Sequence, residues 1–232
     1  MQAVIMAAGL GTRLRPHTLT VPKPMLEVAG RPILEWTFAS LPPEIDEIVL
    51  VVNYLKEQIV ARFGDEHDGR RVRYVEQTEL KGTGDALARC RGLLEGKFLV
   101  MNGDDLYGAD DVAEAVRRDL AILAKATDVP GRFGAFRTDG RGNLVDIIEG
   151  ADVEPGGLVN AGLYVLDERF FSYPLVAIKG GAEFGLPQTL VAMAKDHPIA
   201  ILRAGFWLPI GYPEDLAKAA RALSERDKAV KN

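Results

Sequence analysis

Through the first half of the chain, short apolar runs alternate with stretches of helical spacing, and the runs end in glycine or a polar cluster. Val4 to Ala8 reads as a buried strand closed by Gly9. Pro32 to Leu41 opens with proline, which suits a first helical turn, and spaces Ile33, Trp36, Phe38 and Leu41 along a helix. Glu47 to Asn53 is a second strand and Leu55 to Phe63 a helix; Val72 to Val75 is a third strand. Gly82-Thr83-Gly84 then leads into a helix over Ala86 to Leu94. A fourth strand, Phe98 to Met101, runs into Asn102-Gly103-Asp104-Asp105, and a helix is predicted over Asp111 to Lys125. This alternation predicts an α/β fold with a Rossmann-like, mostly parallel sheet and helices on both faces. Such sheets bind ligands beyond the carboxyl ends of their strands, near a switch in strand order. The polar and glycine-rich residues lie at those ends: Gly9 to Arg13, Asn53, Gln77 to Gly84, and Asn102 to Asp105.

After Val129 the pattern becomes β-rich. Phe133 to Arg137, Leu144 to Glu149 and Leu158 to Leu166 read as strands grown from the same sheet, joined by turns such as Thr138 to Gly142. Gln188 to Lys195 reads as helix, Ile199 to Leu202 as strand, and Pro213 to Asp227 as a closing helix with a frayed tail. A length of 232 residues without a low-complexity linker fits one domain, whose first half (1–128) precedes a second (129–212) and the closing segment 213–232. The formal charge of −5 argues against nucleic acid and anionic membranes as partners, because both require a basic face. Any phosphate ligand must therefore meet a locally positive pocket. One cysteine, Cys90, excludes an intrachain disulfide and is expected to pack as a small apolar residue. With no signal-peptide pattern and no apolar run near the length of a membrane span, the expected location is cytoplasmic.

The loop Gly9-Leu10-Gly11-Thr12-Arg13-Leu14-Arg15-Pro16 follows the first strand. A dinucleotide-binding turn needs a third glycine where this chain has Leu14, and Pro16, Pro22 and Pro24 keep the following stretch out of a helix. The glycine-lysine-Ser/Thr ending of a Walker loop is absent as well. Two readings stay open: a plain glycine turn, or a phosphate cradle. The cradle accounts for the residue types. Glycines let main-chain N–H groups approach phosphate oxygens. Arg13 offers a planar fork, and Lys23, between two prolines that restrict the backbone, offers a compact charge that can be aimed inward.

Residues 1–38 resemble the sugar-1-phosphate nucleotidyltransferase family through A-A-G-L-G-T-R-L-R-P and V-P-K-P-M-L-E-V-A-G-R-P-I-L. Gln77 with Gly82 to Ala86, N-G-D-D-L-Y at 102–107, N-A-G-L-Y-V-L at 160–166 and G-Y-P-E-D-L at 211–216 extend the resemblance in order over nearly the whole chain. The resemblance implies a nucleotide-diphospho-sugar transferase fold, with a nucleotide-binding first half and a sugar-binding second half. It implies that a nucleoside triphosphate, UTP or dTTP being favoured, is joined to a sugar-1-phosphate with release of pyrophosphate. By the same resemblance Ala8, Gly9, Gly11, Thr12 and Arg13 hold the triphosphate and Lys23 its α-phosphate; Gln77, Gly82 and Thr83 hold the base. Asp104 holds Mg²⁺, and Glu149, Asn160 and Glu183 contact the sugar. Arg13, Lys23 and Asp104 are thus the expected catalytic set. Asp105 reads as a cap or turn residue in preference to a second ligand, and His17, His67 and His197 are scattered and expected to take no part.

The chain departs from the family pattern in three places. Gly150 follows Glu149 where a lysine is usual, Pro209 follows Trp207-Leu208 where an aspartate is usual, and Gln188 follows Leu186-Pro187 where an acid is common. Two functions accommodate these departures: an active transferase with a reorganised sugar-phosphate side, or a relative that binds a nucleotide or nucleotide-sugar as a regulatory module.

Overall fold

The computed structural model describes residues 1–127, 133–148, 156–178 and 180–231, the side chains of 227–231 excepted. Its main sheet is built from β1 (Gln2–Met6), β2 (Glu47–Val52), β3 (Glu66–His67), β4 (Arg70–Glu76), β5 (Lys97–Asn102), β6 (Ala121–Thr127), β7 (Ala135–Thr138), β8 (Leu144–Ile148), β9 (Gly157–Asp167) and β10 (Ala200–Arg203). The helices are α1 (Ile33–Ala39), α2 (Lys56–Phe63), α3 (Gly82–Ala88), α4 (Ala109–Val116), α5 (Leu186–Met193) and α6 (Pro213–Lys231). The strand order is β8-β7-β9-β5-β1-β2-β4-β3, with β6 pairing β9 and carrying β10. β5, β1, β2 and β4 are parallel, whereas β9 joins β5 antiparallel and continues the sheet into the second half.

Ala3 to Met6 of β1, Ile48 to Val52 of β2 and Phe98 to Met101 of β5 are continuous apolar runs because both faces are covered. Ala3, Ile5, Ile48, Leu50 and Met101 pack on one side with Leu34 and Phe38 of α1 and Ile59 and Phe63 of α2. Val4, Val49, Val51 and Val100 face the other way, onto Leu87 of α3 and Leu190 and Met193 of α5. Cys90 lies fully buried in that second layer, where desolvation pushes its thiol up to about 12. It packs, as expected, and does not react. A third cluster of Leu14, Leu26, Val28, Ile33, Leu106, Ile210 and Ala219 seats α6 and the loop after β1 on the rest of the fold.

One sequence expectation is overturned. Asp111 to Lys125 is not a single helix: α4 stops at Val116, and Ala121–Thr127 is β6. The run Leu120-Ala121-Ile122-Leu123-Ala124 is made largely of good helix formers, but it is buried from both sides between β9 and β10, and tertiary pairing overrides propensity. The helix predicted to Leu94 also ends early, at Ala88.

Candidate active site

The chain passes from β1 to β2 on one side and from β5 to β6 and β9 on the other, so the connections after these neighbouring strands leave in opposite directions. This is the crevice where open α/β sheets place ligands. The ends of β1 and β5 meet closely: Gly103 N–H donates to Met6 O at 2.9 Å, and a Cβ on residue 103 would lie 2.9 Å from that same oxygen. Glycine here brings Asp104 up against the mouth of β1.

The loop after β1 folds back on itself. Gly11 has φ +61°, and a Cβ on it would meet Thr18 at 2.9 Å and Lys23 at 3.0 Å. Thr18 Oγ1 donates to Gly11 O at 2.8 Å, and buried Leu14 pins the turn. Pro22 is extended (φ −67°, ψ 143°) and delivers Lys23 into the interior, where it is 8% exposed and its ammonium donates to Asp104 Oδ2. Arg13 is exposed, with its guanidinium 5.2 Å from the centre of the Tyr212 ring. Arg13, Lys23, Asp104, Asp105, Asn160 and Pro209 share the wall of one cavity of about 180 Å³.

Asp105 corrects the cap-or-turn reading. It opens a short strand, Asp105–Tyr107, that pairs antiparallel with Trp207–Pro209, and it is buried. Its Oδ2 accepts from Trp207 Nε1 at 3.2 Å and Asn102 Nδ2 at 3.3 Å. Burial, and next the charge of Asp104, push its carboxyl above the ordinary carboxylate range, against the pull of Lys23. Behind it, Tyr107 Oη donates to the carbonyls of Ala161 (3.0 Å) and Gly162 (3.1 Å), fixing an irregularity in β9. There Asn160 Oδ1 accepts from Gly162 N–H at 2.9 Å and its Nδ2 donates to Tyr164 Oη at 2.8 Å.

A second cavity of about 320 Å³ shares Asn102 and Asp104 with the first and is lined by Ala8, Gly9, Gln77, Gly82, Thr83 and Glu183, among others. Gln77 is 4% exposed. Its Nε2 donates to Gly82 O at 3.0 Å and Asp85 Oδ2 at 2.9 Å, which leaves Oε1 as its acceptor for a ligand. Burial opposes the charge on Asp85, but Arg89 and Gln77 outweigh it and hold the carboxyl below its ordinary range. Thr83 Oγ1 accepts from Leu186 N–H at 3.1 Å, so this hydroxyl ties α3 to α5. Gly82 has φ +86°, and a Cβ would lie 2.4 Å from Phe184 O. Gly82→Ala is therefore expected to cost about 1–3 kcal/mol. Urea unfolding checks this; a midpoint equal to that of the natural chain refutes the close packing of this turn on Phe184.

The structure thus brings Arg13, Lys23, Asp104 and Asn160 to one cavity, and Ala8, Gly9, Gln77, Gly82 and Thr83 to the adjoining one. Gly11 and Thr12 do not line either: Gly11 is packed on Thr18 and Lys23, and Thr12 is exposed. Glu183 opens on the second cavity and the cleft behind it, away from Asn160. Glu149 lies outside the described residues. Asn102, Asp105, Tyr107 and Trp207 support the site; all four fall in the motifs quoted from sequence, but none was given a binding role there. The polar run after β5 was a signal for the first two; nothing local marks the others.

Fold and site together define an α/β protein with its candidate site at the β1–β5 switch. The nucleotidyl transferase family model matches residues 2–226, and the chain belongs to that family. It is 35% identical over 236 residues to a UTP–glucose-1-phosphate uridylyltransferase, AglF, of Haloferax volcanii, covering 97% of each chain. It is 32% identical over 228 residues to the bifunctional protein GlmU of Methanocaldococcus jannaschii, covering 97% of this chain and 55% of that one. The chain thus spans about half the length of that relative. Among solved structures, a protein described as a glucose-1-phosphate thymidylyltransferase from Bacillus anthracis superposes with a TM-score of 0.84 at 22% identity, covering 96% of this chain and 94% of that one, and shares the fold. Among the described residues no helix is long and apolar enough to cross a membrane.

Proposed function

We propose that the protein joins a nucleoside triphosphate to a sugar-1-phosphate, forming a nucleotide-sugar and pyrophosphate. The observation that carries this is the meeting of Lys23 and Asp104, with Arg13 at the mouth, in a cavity continuous with one built for a base. One elongated ligand can reach both, its base end at Gln77 and its phosphates at Lys23. The first half (1–128) supplies this nucleotide side; 129–212 supplies Asn160 and the remaining sugar contacts, and 213–232 closes the fold.

An anomeric phosphate is already anionic, so no side chain has to remove a proton. One of its oxygens attacks the α-phosphorus and forms the new P–O bond. The bond from α-phosphorus to the bridging oxygen breaks, and its electron pair leaves with pyrophosphate. Catalysis then rests on positioning and on charge held ready for the transition state. Lys23 supports the α-phosphate, and Arg13 reaches the phosphates from the exposed side. Asn160, with Glu149, serves the sugar, and the main chain of Ala8 and Gly9 serves the triphosphate.

Mg²⁺ is the expected cation. Asp104 offers it hard oxygen ligands, and among the described residues no group of three or more His, Cys, Asp or Glu side chains gathers to enclose a metal. Phosphate oxygens and water would complete the shell, which suits Mg²⁺. When bound, the cation neutralises phosphate charge that the two basic side chains alone do not balance.

The free acceptor on Gln77 favours a base whose ring nitrogen carries a proton: N3–H of uracil or thymine and N1–H of guanine fit, whereas N3 of cytosine and N1 of adenine are acceptors. Among these, UTP or dTTP is the favoured substrate, in line with the uridylyltransferase AglF among the relatives. Pro209, a wall residue without a ligating side chain, favours the second reading, a regulatory module that binds without turnover. A matrix of nucleoside triphosphates against sugar-1-phosphates, read by coupled pyrophosphate detection and by melting shifts, separates the two. Pyrophosphate from UTP or dTTP with one sugar phosphate is expected; stabilisation with no pyrophosphate from any pair supports the module.

A further inference from the structure

We infer that Asp105 is a second protein ligand of the divalent cation, beside Asp104. The inference rests on the transfer reading, because the triphosphate brings the cation to this cavity. Both carboxylates line it. Asp105 is 6% exposed, and its two hydrogen bonds, from Trp207 Nε1 and Asn102 Nδ2, go to the same oxygen, Oδ2. Oδ1 accepts from no described residue. Since no buried side-chain nitrogen or oxygen among the described residues lacks a partner, Oδ1 is open to the cavity. One oxygen held by two N–H groups and the other left open is how outer hydrogen bonds orient a metal-ligating carboxylate.

A purely structural role does not account for the residue type. Asparagine at 105 would accept the same two hydrogen bonds through its carbonyl without the cost of burying a charge. The nearest cation, Lys23, is already paired with Asp104. What a carboxylate adds at this position is charge and a hard oxygen, and Mg²⁺ is commonly held by one or two carboxylates together with substrate phosphates and water. The ribbon register strengthens the assignment. Pro209 lies directly opposite Asp105 and faces the same cavity, so a carboxylate placed at 209 approaches the same cation from across the ribbon.

Mn²⁺ is the probe, with UTP added and the free ion followed by electron paramagnetic resonance. The natural chain is expected to bind Mn²⁺ in the presence of UTP; no binding at all overturns the transfer reading and the premise with it. With binding established, Asp105→Asn is expected to raise the Mn²⁺ dissociation constant by about 10–100-fold, and Pro209→Asp in that background is expected to recover part of the loss. Unchanged Mn²⁺ affinity in a folded Asp105→Asn overturns the inference. A second measurement needs no substitution. Adding Mg²⁺ and UTP is expected to shift the Trp207 indole N–H resonance, whose acceptor is Asp105. The Trp36 indole, which donates to Val28 O at 2.9 Å, is the reference, and a Trp207 resonance that moves no more than that of Trp36 also overturns the inference.

Discussion

Lys23→Ala is expected to lower kcat for pyrophosphate release by roughly 10²–10³-fold, the loss seen when one preorganised charge donor is removed from a transition state. The size follows from where the ammonium lies. Lys23 is the buried cation of the phosphate cavity, whereas Arg13 stands exposed over Tyr212. Water entering the gap replaces the lysine for the ground-state triphosphate better than for the transition state, so the deficit falls mainly on kcat. Lys23→Arg is expected to recover little, because a planar fork does not fit where a compact ammonium meets Asp104 between two prolines. Steady-state kinetics with saturating sugar phosphate, alongside circular dichroism, checks this. Full kcat in a folded Lys23→Ala would reduce the lysine to a structural counter-ion and remove the central support of the proposed function.

The features that sequence made legible were those whose causes are local. The prolines around Lys23 restrict φ on both sides, so the inward aim could be inferred before any contact was seen, and Gly9 and Gly103 stand where a buried strand must stop. The parallel sheet was legible for the same reason, since strands covered on both faces lose alternation and become continuous apolar runs. What escaped depended on distant partners. Leu120 to Ala124 carries no local sign that β9 and β10 will enclose it. Asp105 looks like a turn acid until the ribbon to Trp207 forms, 102 residues away, and converts it into a buried carboxylate. Thr83 lines the second cavity, and its hydroxyl also accepts from Leu186 N–H, a contact without local sign that only the docking of α5 on α3 supplies.

Asp104→Asn is expected to reduce kcat/KM by about 10²–10³-fold and to move half-maximal activity to higher Mg²⁺ concentration. A neutral amide still reaches the phosphates but no longer offsets the cation's charge. The substitution has a second, separable consequence in the free protein. Losing the carboxylate leaves the Lys23 ammonium buried without its partner, which should cost about 1–3 kcal/mol, moderated because the Asp104 side chain is 32% exposed. The same change lightens the load on Asp105. Its carboxyl is held above the ordinary range first by burial and then by Asp104, so in the natural chain the folded state binds that proton more tightly than the unfolded one. That contribution to stability is complete below the unfolded carboxylate range and is lost as pH rises through the folded value. In Asp104→Asn the carboxyl at 105 ionises more easily, close to a lysine in need of a partner, so the loss of stability with rising pH should be shallower than in the natural chain. Urea unfolding from acid to neutral pH measures both slopes. Parallel slopes would mean that the two carboxylates do not sense each other, and the shared cation site would then have no electrostatic basis.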